Sequence, residues 1–428
     1  MNLEEIVAFF PVGGEAKRLK PLTQDVSKAC VRLLNRPIIE FSLATLAEQG
    51  IKNFIFGVKG GTNYRNLFDQ FGEGVGFSAK YQISPRIHIK YQPNLNDVGS
   101  ADSLRLNLNY YNINAPILCV QGDNVFDIDL VDLINEHEKK DAFMTIVLTK
   151  VDRTEEYGIA DMDSNRRIRK FVEKPRTEEA PSRWANTGIY LISPDIKDVL
   201  ESKEVKEIKK ARNRLDFGLD FIPHIVDHNF PVYGYEMKKR WYDVGTPEGY
   251  LKAMREILNG ALDMRIKEER IFPGRNVWVQ GFSRESVKLR EKIIKECKEG
   301  RLIINGSALI GRHCRIGDGT KITDSNIDNY CIIGRNVQVE NAAIMDSSSV
   351  GDSSKIKESI IGRNVVIESS DKKPTEIDKV SVIGNDVKIG EGCRIISTRI
   401  YPSLCIPPNS TYINKVLISK EDVERAKN

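Results

Sequence analysis

Residues 11–30 read PVGGEAKRLKPLTQDVSKAC. Gly13 and Gly14 come first, then Lys17, Arg18, Lys20 and Lys28, with only two acids among them. Glycines let backbone N–H groups approach an anion, and Arg18 offers a planar fork of donors to phosphate oxygens. The stretch has the chemistry of a polyphosphate cradle. Two familiar phosphate motifs are absent: no GK precedes a Ser or Thr, and no third glycine stands at dinucleotide spacing. Neither motif would account for Lys28. A solvated basic loop is the plainer alternative, and these residues alone leave both readings open.

A cradle of this kind has to hang from a strand end. Ile6–Phe10 is a short apolar run that reads as a buried strand. Pro37 opens a helical pattern with Ile38, Ile39, Leu43 and Leu46 at apolar positions, and Gly50 closes it. Phe54–Val58, Ile117–Val120 and Phe143–Leu148 read as further strands. Strands alternating with helices over residues 1–255 predict a Rossmann-like, mostly parallel α/β sheet, with ligands at the carboxyl ends of its strands. At 428 residues the chain is long enough for two or three domains. A net charge of +4 is small for that length, and no aromatic-basic interleaving points to nucleic acid. No apolar run is long enough to cross a membrane. The N-terminal MNLEEIVAFF puts two acids ahead of a short apolar run, unlike a secretory signal. Seven scattered cysteines without a CxxC pair fit a reducing cytoplasm.

From Leu309 the pattern changes. Ile310, Ile327, Ile344 and Ile361 lie 17 apart, as do Ile316, Ile333, Val350 and Ile367. Steps of 6, 6 and 5 separate the aliphatics within each unit. A slip of five residues falls in Ser369–Lys379, after which Ile383, Ile389, Ile395, Ile400 and Ile406 resume the steps. One inward aliphatic per side at a fixed short period describes a three-sided parallel β-helix. Glycines such as Gly317 and Gly334 follow the aliphatics, where a tight corner leaves little room for a side chain. The expected organisation is an α/β domain over 1–255, a helical connector over 256–305 that includes Ser283–Glu299, a β-helix over 306–415 and a charged tail over 416–428.

Six stretches of the first domain, taken in order, bear on its chemistry. VGGEAKRLKPLT, followed by Ser27–Lys28, resembles the nucleotide-binding signature of the sugar-1-phosphate nucleotidyltransferases, the NDP-sugar pyrophosphorylases. LCVQGDNVFDIDL at 118–130 is similar to the family's GD strand end. YGIADMD at 157–163 and FVEKP at 171–175 are similar to its sugar-side motifs. ANTGIYLIS at 185–193 and WYDVGTPEGYL at 241–251 complete the series, and a left-handed β-helix tail is frequent in the family. The resemblance implies that an NTP and a sugar 1-phosphate give NDP-sugar and pyrophosphate. It implies Mg²⁺ as cofactor, held by Asp123 and Asp243. Arg18 and Lys28 match the cations that grip the triphosphate, so the catalytic set is Arg18, Lys28 and Asp123. Gly13, Gly14 and Lys17 complete the phosphate grip. Glu173, Lys174, Gly158 and Asn186 match the sugar-phosphate side. Gln92 and Gly99, within QPNLNDVGSAD, resemble the base-reading segment and leave UTP, dTTP and GTP open.

The sequence departs from the family pattern on the phosphate grip itself. Ala16 stands for a glycine, Lys17 for a hydroxyl residue and Ser27 for a proline. Ala16 suits the position if its φ is negative, because glycine is required only at positive φ or very close contact. These changes keep a second reading open, a non-catalytic regulatory subunit that binds nucleotide sugars. A third is a bifunctional enzyme with an acyltransferase β-helix, resting on His313, the one histidine of the repeats. The repeat surface is expected to support homo-oligomerisation.

Overall fold

The computed structural model describes residues 1–14, 16–93, 96–263, 265–266 and 268–425, so the last three residues of the charged tail lie outside the described residues. Contacts gather the chain into two compact units that are not contiguous in sequence. Met1–Glu15, Ser27–Cys30 and Ile38–Trp241 form one; Ala16–Val26, Val31–Pro37 and Tyr242–Asn428 form the other.

The first unit is built on a nine-stranded sheet. Its strands are β1 (Val7–Val12), β2 (Asn53–Val58), β3 (His88–Tyr91), β4 (Ile117–Val120), β5 (Met144–Lys150), β6 (Gly158–Met162), β7 (Ile168–Glu173), β8 (Trp184–Ile192) and β9 (Val232–Glu236). The spatial order is β7-β6-β8-β4-β1-β2-β3, with β5 pairing both β8 and β9. β4, β1, β2 and β3 run parallel, as do β5 and β9. β8 runs antiparallel to β4, β5 and β6, so the second half of the sheet is mixed. The helices that matter below are α1 (Ile38–Glu48), α2 (Ser100–Tyr110), α3 (Ile196–Leu200) and α4 (Lys203–Arg212). β1 reads as an unbroken apolar run because both its faces are covered. Ala8 and Phe10 pack with Leu43 and Leu46 of α1, whereas Val7 and Phe9 pack with Leu104 and Leu108 of α2. That alternation is the two-residue period of a strand.

In the second unit, short parallel strands stack in columns. One column holds Arg315–Ile316, Ile332–Ile333, Ser349–Val350, Val366–Ile367, Lys388–Ile389 and Cys405–Ile406 in parallel register. Ile316, Ile322 and Ile327, and their equivalents on each coil, share one apolar core. The slip is absorbed as one long step, Ile367 pairing with Ile389. A Cβ on Gly317 would come within 2.7 Å of the Gly334 carbonyl carbon on the next coil, which is why the corner is glycine. The left-handed corners themselves fall to polar residues, Asn336 (φ 57°), Asn364 (φ 53°) and Asn409 (φ 57°), whose short side chains tolerate that region. Cys314 and Cys331 sit buried on adjacent coils as free thiols. The hydrogen bond between them and burial push the Cys331 thiol far above its usual range.

Two further helices, α5 (Pro247–Leu258) and α6 (Arg284–Lys298), belong to this unit. α6 is capped by Ser283, whose hydroxyl accepts from Ser286 N. The turn at 31–37 is tied here by long-range bonds. Arg32 donates Nη2 to Asp328 Oδ1 at 2.9 Å, Asn35 donates to Gln280 at 2.7 Å, and Tyr250 OH donates to the Arg32 carbonyl at 2.6 Å.

Candidate active site

β1 ends at Val12, and Gly13 and Gly14 emerge from it into solvent. A Cβ on Gly13 would meet Lys59 Cβ at 2.9 Å, whereas nothing lies within 4 Å of one on Gly14. Gly14 therefore keeps open space over its backbone, which a bound anion needs. In the same unit the Lys28 ammonium is ion-paired with the Asp123 carboxylate, both side chains mostly enclosed. Asp123 follows β4, and its neighbour Asn124 anchors the turn by donating to the Thr187 carbonyl at 2.5 Å.

Ala16–Val26, the rest of the candidate phosphate loop, belongs to the second unit. There Ala16 has φ 45° and ψ 42°, so the condition of a negative φ is not met. The left-handed backbone lets its carbonyl accept from both Leu19 N at 3.1 Å and Thr23 Oγ1 at 3.0 Å. Leu19 is fully buried and pins the short turn Lys17–Leu19, leaving the Lys17 and Arg18 side chains outermost. Arg18 Nη2 stands 3.8 Å from Asp243 Oδ2. Asp243 ends a short strand, Trp241–Asp243, and α5 begins just beyond it, capped by Thr246. Gly249 is required there, since a Cβ would lie 2.6 Å from the Asp243 carbonyl oxygen.

Of the residues matched to the sugar side, Gly158 and Lys174 lie against Glu173. Gly158 pairs with Glu173 across the β6–β7 ladder. A Cβ on Gly158 would sit 2.6 Å from Glu173 Oε2, and one on Gly218 would be equally close. Burial between these two glycines pushes the Glu173 carboxyl above its ordinary range; Lys174 opposes the shift and Asp216 adds to it. Lys174 takes a left-handed backbone (φ 49°), and its Nζ reaches 3.8 Å from Glu173. Asn186 is buried on β8, with Nδ2 donating to Tyr190 OH at 2.7 Å and Oδ1 accepting from Gly188 N at 2.8 Å.

The pair matched to the base side lies on the segment that leads into α2. Gln92 is 2 % exposed. Its Nε2 donates to Asp97 at 3.1 Å, and its Oε1 accepts from Asn107 at 3.1 Å and from Ser103 Oγ. Both ends of the amide are spent inside the unit, bracing α2. Gly99, at φ 144°, caps α2, and a Cβ would lie 2.5 Å from the Leu215 carbonyl oxygen. Close backbone approach explains this glycine.

Two features of the site left no mark in the sequence reading. Asp216 accepts from Ser100 Oγ at 2.8 Å and from Gly218 N at 3.0 Å, fixing the turn that walls Glu173. The D-F-G spacing is an Asx-turn signal that could have flagged it. The buried Trp241 Nε1 has no hydrogen-bond partner among the described residues, and its ring packs edge-on to Tyr157 at 5.7 Å. An indole N–H only donates, so a ligand oxygen would satisfy it.

A family model for nucleotidyl transferases matches residues 11–260. The chain belongs to the nucleotidyl transferase family. A second model, for the left-handed β-helix domain of the EIF2B epsilon subunit, matches residues 295–395, so the coils of this nucleotidyl transferase form a left-handed β-helix. A UTP–glucose-1-phosphate uridylyltransferase of Synechocystis is 28 % identical over 345 residues, covering 79 % of this chain and 82 % of its own. A solved Bacillus anthracis structure, described as a glucose-1-phosphate thymidylyltransferase in complex with sucrose, is 23 % identical with a TM-score of 0.50. It covers 58 % of this chain and 93 % of its own, a likeness of fold. Nucleotidyltransferases of this kind are generally divalent-metal dependent. Among the described residues no three His, Cys, Asp or Glu side chains cluster as a metal cage. Asp123 in the first unit and Asp243 in the second each present a carboxylate, a hard oxygen donor of the kind a divalent cation takes. His313, at a left-handed corner (φ 57°), stacks its ring on Tyr330 at 4.9 Å. Among the described residues no helix is long and apolar enough to cross a membrane.

Proposed function

We propose that this nucleotidyl transferase condenses an NTP with a sugar 1-phosphate, releasing NDP-sugar and pyrophosphate with Mg²⁺ as the metal. The observation that carries the reading is the pairing of charges. Each carboxylate assigned to the metal faces one of the cations assigned to the triphosphate: Asp123 faces Lys28, and Asp243 faces Arg18. A metal–nucleotide complex brings a cation for a carboxylate and an anion for a basic side chain, so it can replace a pair of this kind without leaving a charge uncompensated.

A sugar phosphate oxygen bonds to the α-phosphorus while the bond from that phosphorus to the bridging oxygen breaks, and pyrophosphate leaves with the electron pair. The attacking monoester, with a second pKa near ~6, is already mostly ionised at pH 7, so no general base is needed. Catalysis rests on positioning and charge neutralisation. Gly13 and Gly14 offer N–H groups to the triphosphate, Lys17 adds a cation, and Arg18 and Lys28 follow charge onto the leaving group. Asp123 and Asp243 would hold Mg²⁺, which supplies further neutralisation at the transferring phosphoryl group. Glu173 accepts from sugar hydroxyls and Lys174 meets the sugar phosphate. Asn186 and Gly158 shape the surface beneath them, while Gln92 and Gly99 belong to the segment that takes the nucleotide base. The outward Ile332 and Val366 of one β-helix column, 48 % and 37 % exposed, support self-association through that domain. Seven free thiols support a reducing, cytoplasmic setting.

The regulatory-subunit reading draws on the left-handed Ala16 in the phosphate loop. One experiment separates the two: a grid of NTPs against sugar 1-phosphates monitored for pyrophosphate. It starts with UTP and glucose 1-phosphate, the substrates in the name of the Synechocystis relative. Release with at least one pair supports the enzyme, and none with any pair supports the regulatory subunit.

A further inference from the structure

The first unit carries a second concave, charged surface. α3, α4 and one side of α2 enclose a cavity of about 340 Å³. Its floor is apolar, formed by Leu200, Val205 and Leu215, and Arg105, Lys206, Lys209 and Lys210 surround it. Two carboxylates partly balance these four cations. Arg105 holds Asp102 and Glu201, each at 2.9 Å. Lys209 reaches Asp102 at 2.7 Å, and Lys206 reaches Glu201 at 3.0 Å. Lys210, one helical turn beyond Lys206, has no carboxylate partner among the described residues. Four cations against two acids leave a surplus of two positive charges around the cavity.

An ion-pair network that served only to dock α4 on α2 would have no use for that surplus, because like charges held together repel. It would also have no use for an open apolar floor between them. The surplus equals the charge of an ionised phosphate monoester at neutral pH. The floor suits a ring or aliphatic portion attached to it.

We propose that this cavity is a second anion site, separate from the triphosphate loop, that binds a small phosphate monoester with its apolar portion resting on Leu200, Val205 and Leu215. The floor has a fixed place in the fold: the Leu215 carbonyl accepts from Ala101 N and Asp102 N, each at 3.1 Å, at the start of α2.

The test is calorimetric titration of the full chain at low ionic strength with phenyl phosphate and with inorganic phosphate. Parent, Lys210→Glu and Arg183→Glu proteins are compared. Arg183 is a matched control: its side chain is 70 % exposed, lies outside the cavity and pairs with Asp152. Both substitutions change net charge equally and fall on exposed side chains, and unchanged circular dichroism checks the fold. Phenyl phosphate is expected to bind roughly fivefold tighter than inorganic phosphate, from the ring area laid on the floor. Lys210→Glu is expected to weaken phenyl phosphate about tenfold or more, with Arg183→Glu within about twofold of the parent. Equal affinity in the two variants would overturn the proposal, and so would equal binding of the two probes by the parent.

Discussion

Ala16→Gly isolates one backbone dihedral in the phosphate loop. At φ 45° and ψ 42° an L-residue sits in the left-handed well, which costs roughly 1–2 kcal/mol relative to glycine. The glycine in turn frees the unfolded chain, giving back about 0.4–1 kcal/mol. The difference is a net stabilisation of about 0.5–1 kcal/mol for the folded loop, a factor of roughly two to five in its opening equilibrium. Leu19 N is the reporter, because it donates to the Ala16 carbonyl at 3.1 Å. Amide hydrogen exchange should show Leu19 protection rising by that factor, with the NTP KM moving less than about threefold. If Leu19 exchanged faster in the variant, the glycine would be loosening a right-handed or extended residue, and the strain argument would fail.

The other expectations follow from the same site. Gly158→Ala places a Cβ 2.4 Å from Phe171 Cζ and 2.6 Å from Glu173 Oε2, so the sugar 1-phosphate KM should rise at least about tenfold with little change for NTP. Asp123→Asn and Asp243→Asn should each lower turnover about a hundredfold or more with circular dichroism unchanged; a folded variant within a few-fold of the parent removes that carboxylate from the site. Because burial raises the Glu173 carboxyl, it protonates above the ordinary carboxylate range, and kcat/KM for sugar 1-phosphate should fall with pH there. Glu173→Gln should erase that limb while leaving the limb of the substrate phosphate, and an unchanged profile would exclude Glu173 as the acceptor. Burial raises Asp220, but bonds from Arg214, Arg212 and Asp216 N outweigh it and hold the carboxyl at about 2. Its folded pKa is depressed, so its contribution of roughly 1–2 kcal/mol is present above about pH 4 and lost as pH falls toward 2. Asp220→Asn should flatten that part of the acid-unfolding curve.

What the sequence disclosed and withheld has physical causes. The β-helix was legible because each coil repeats the same inward positions, as Ile316, Ile333 and Val350 show. β1, β2 and β4 were legible because strands covered on both faces read as apolar runs. The fate of Arg32 was not legible, because its partner Asp328 lies 296 residues away and leaves no local trace. Gln92 looked like a reader of bases because its type fits that task. Its hydrogen bonds to Ser103 and Asn107, one helical turn apart on α2, were not legible, because they join residues 11 and 15 positions away. Ala16 carried the opposite lesson: a small residue at a glycine position says nothing about φ, and here the left-handed geometry is kept without the glycine. Glu173 was recognisable from EKP, but the second glycine that walls it, Gly218, arrives from a turn 45 residues later.

The central claim is that the Lys28–Asp123 pair of the first unit and the Arg18–Asp243 pair of the second each serve phosphoryl transfer. The most direct measurement is exchange of labelled pyrophosphate into NTP by the purified chain, with Mg²⁺ and each NDP-sugar in turn. The account predicts exchange with at least one NDP-sugar, abolished by chelation and by either Asp123→Asn or Asp243→Asn. A folded protein that binds nucleotide sugar yet exchanges pyrophosphate with none of them would contradict it.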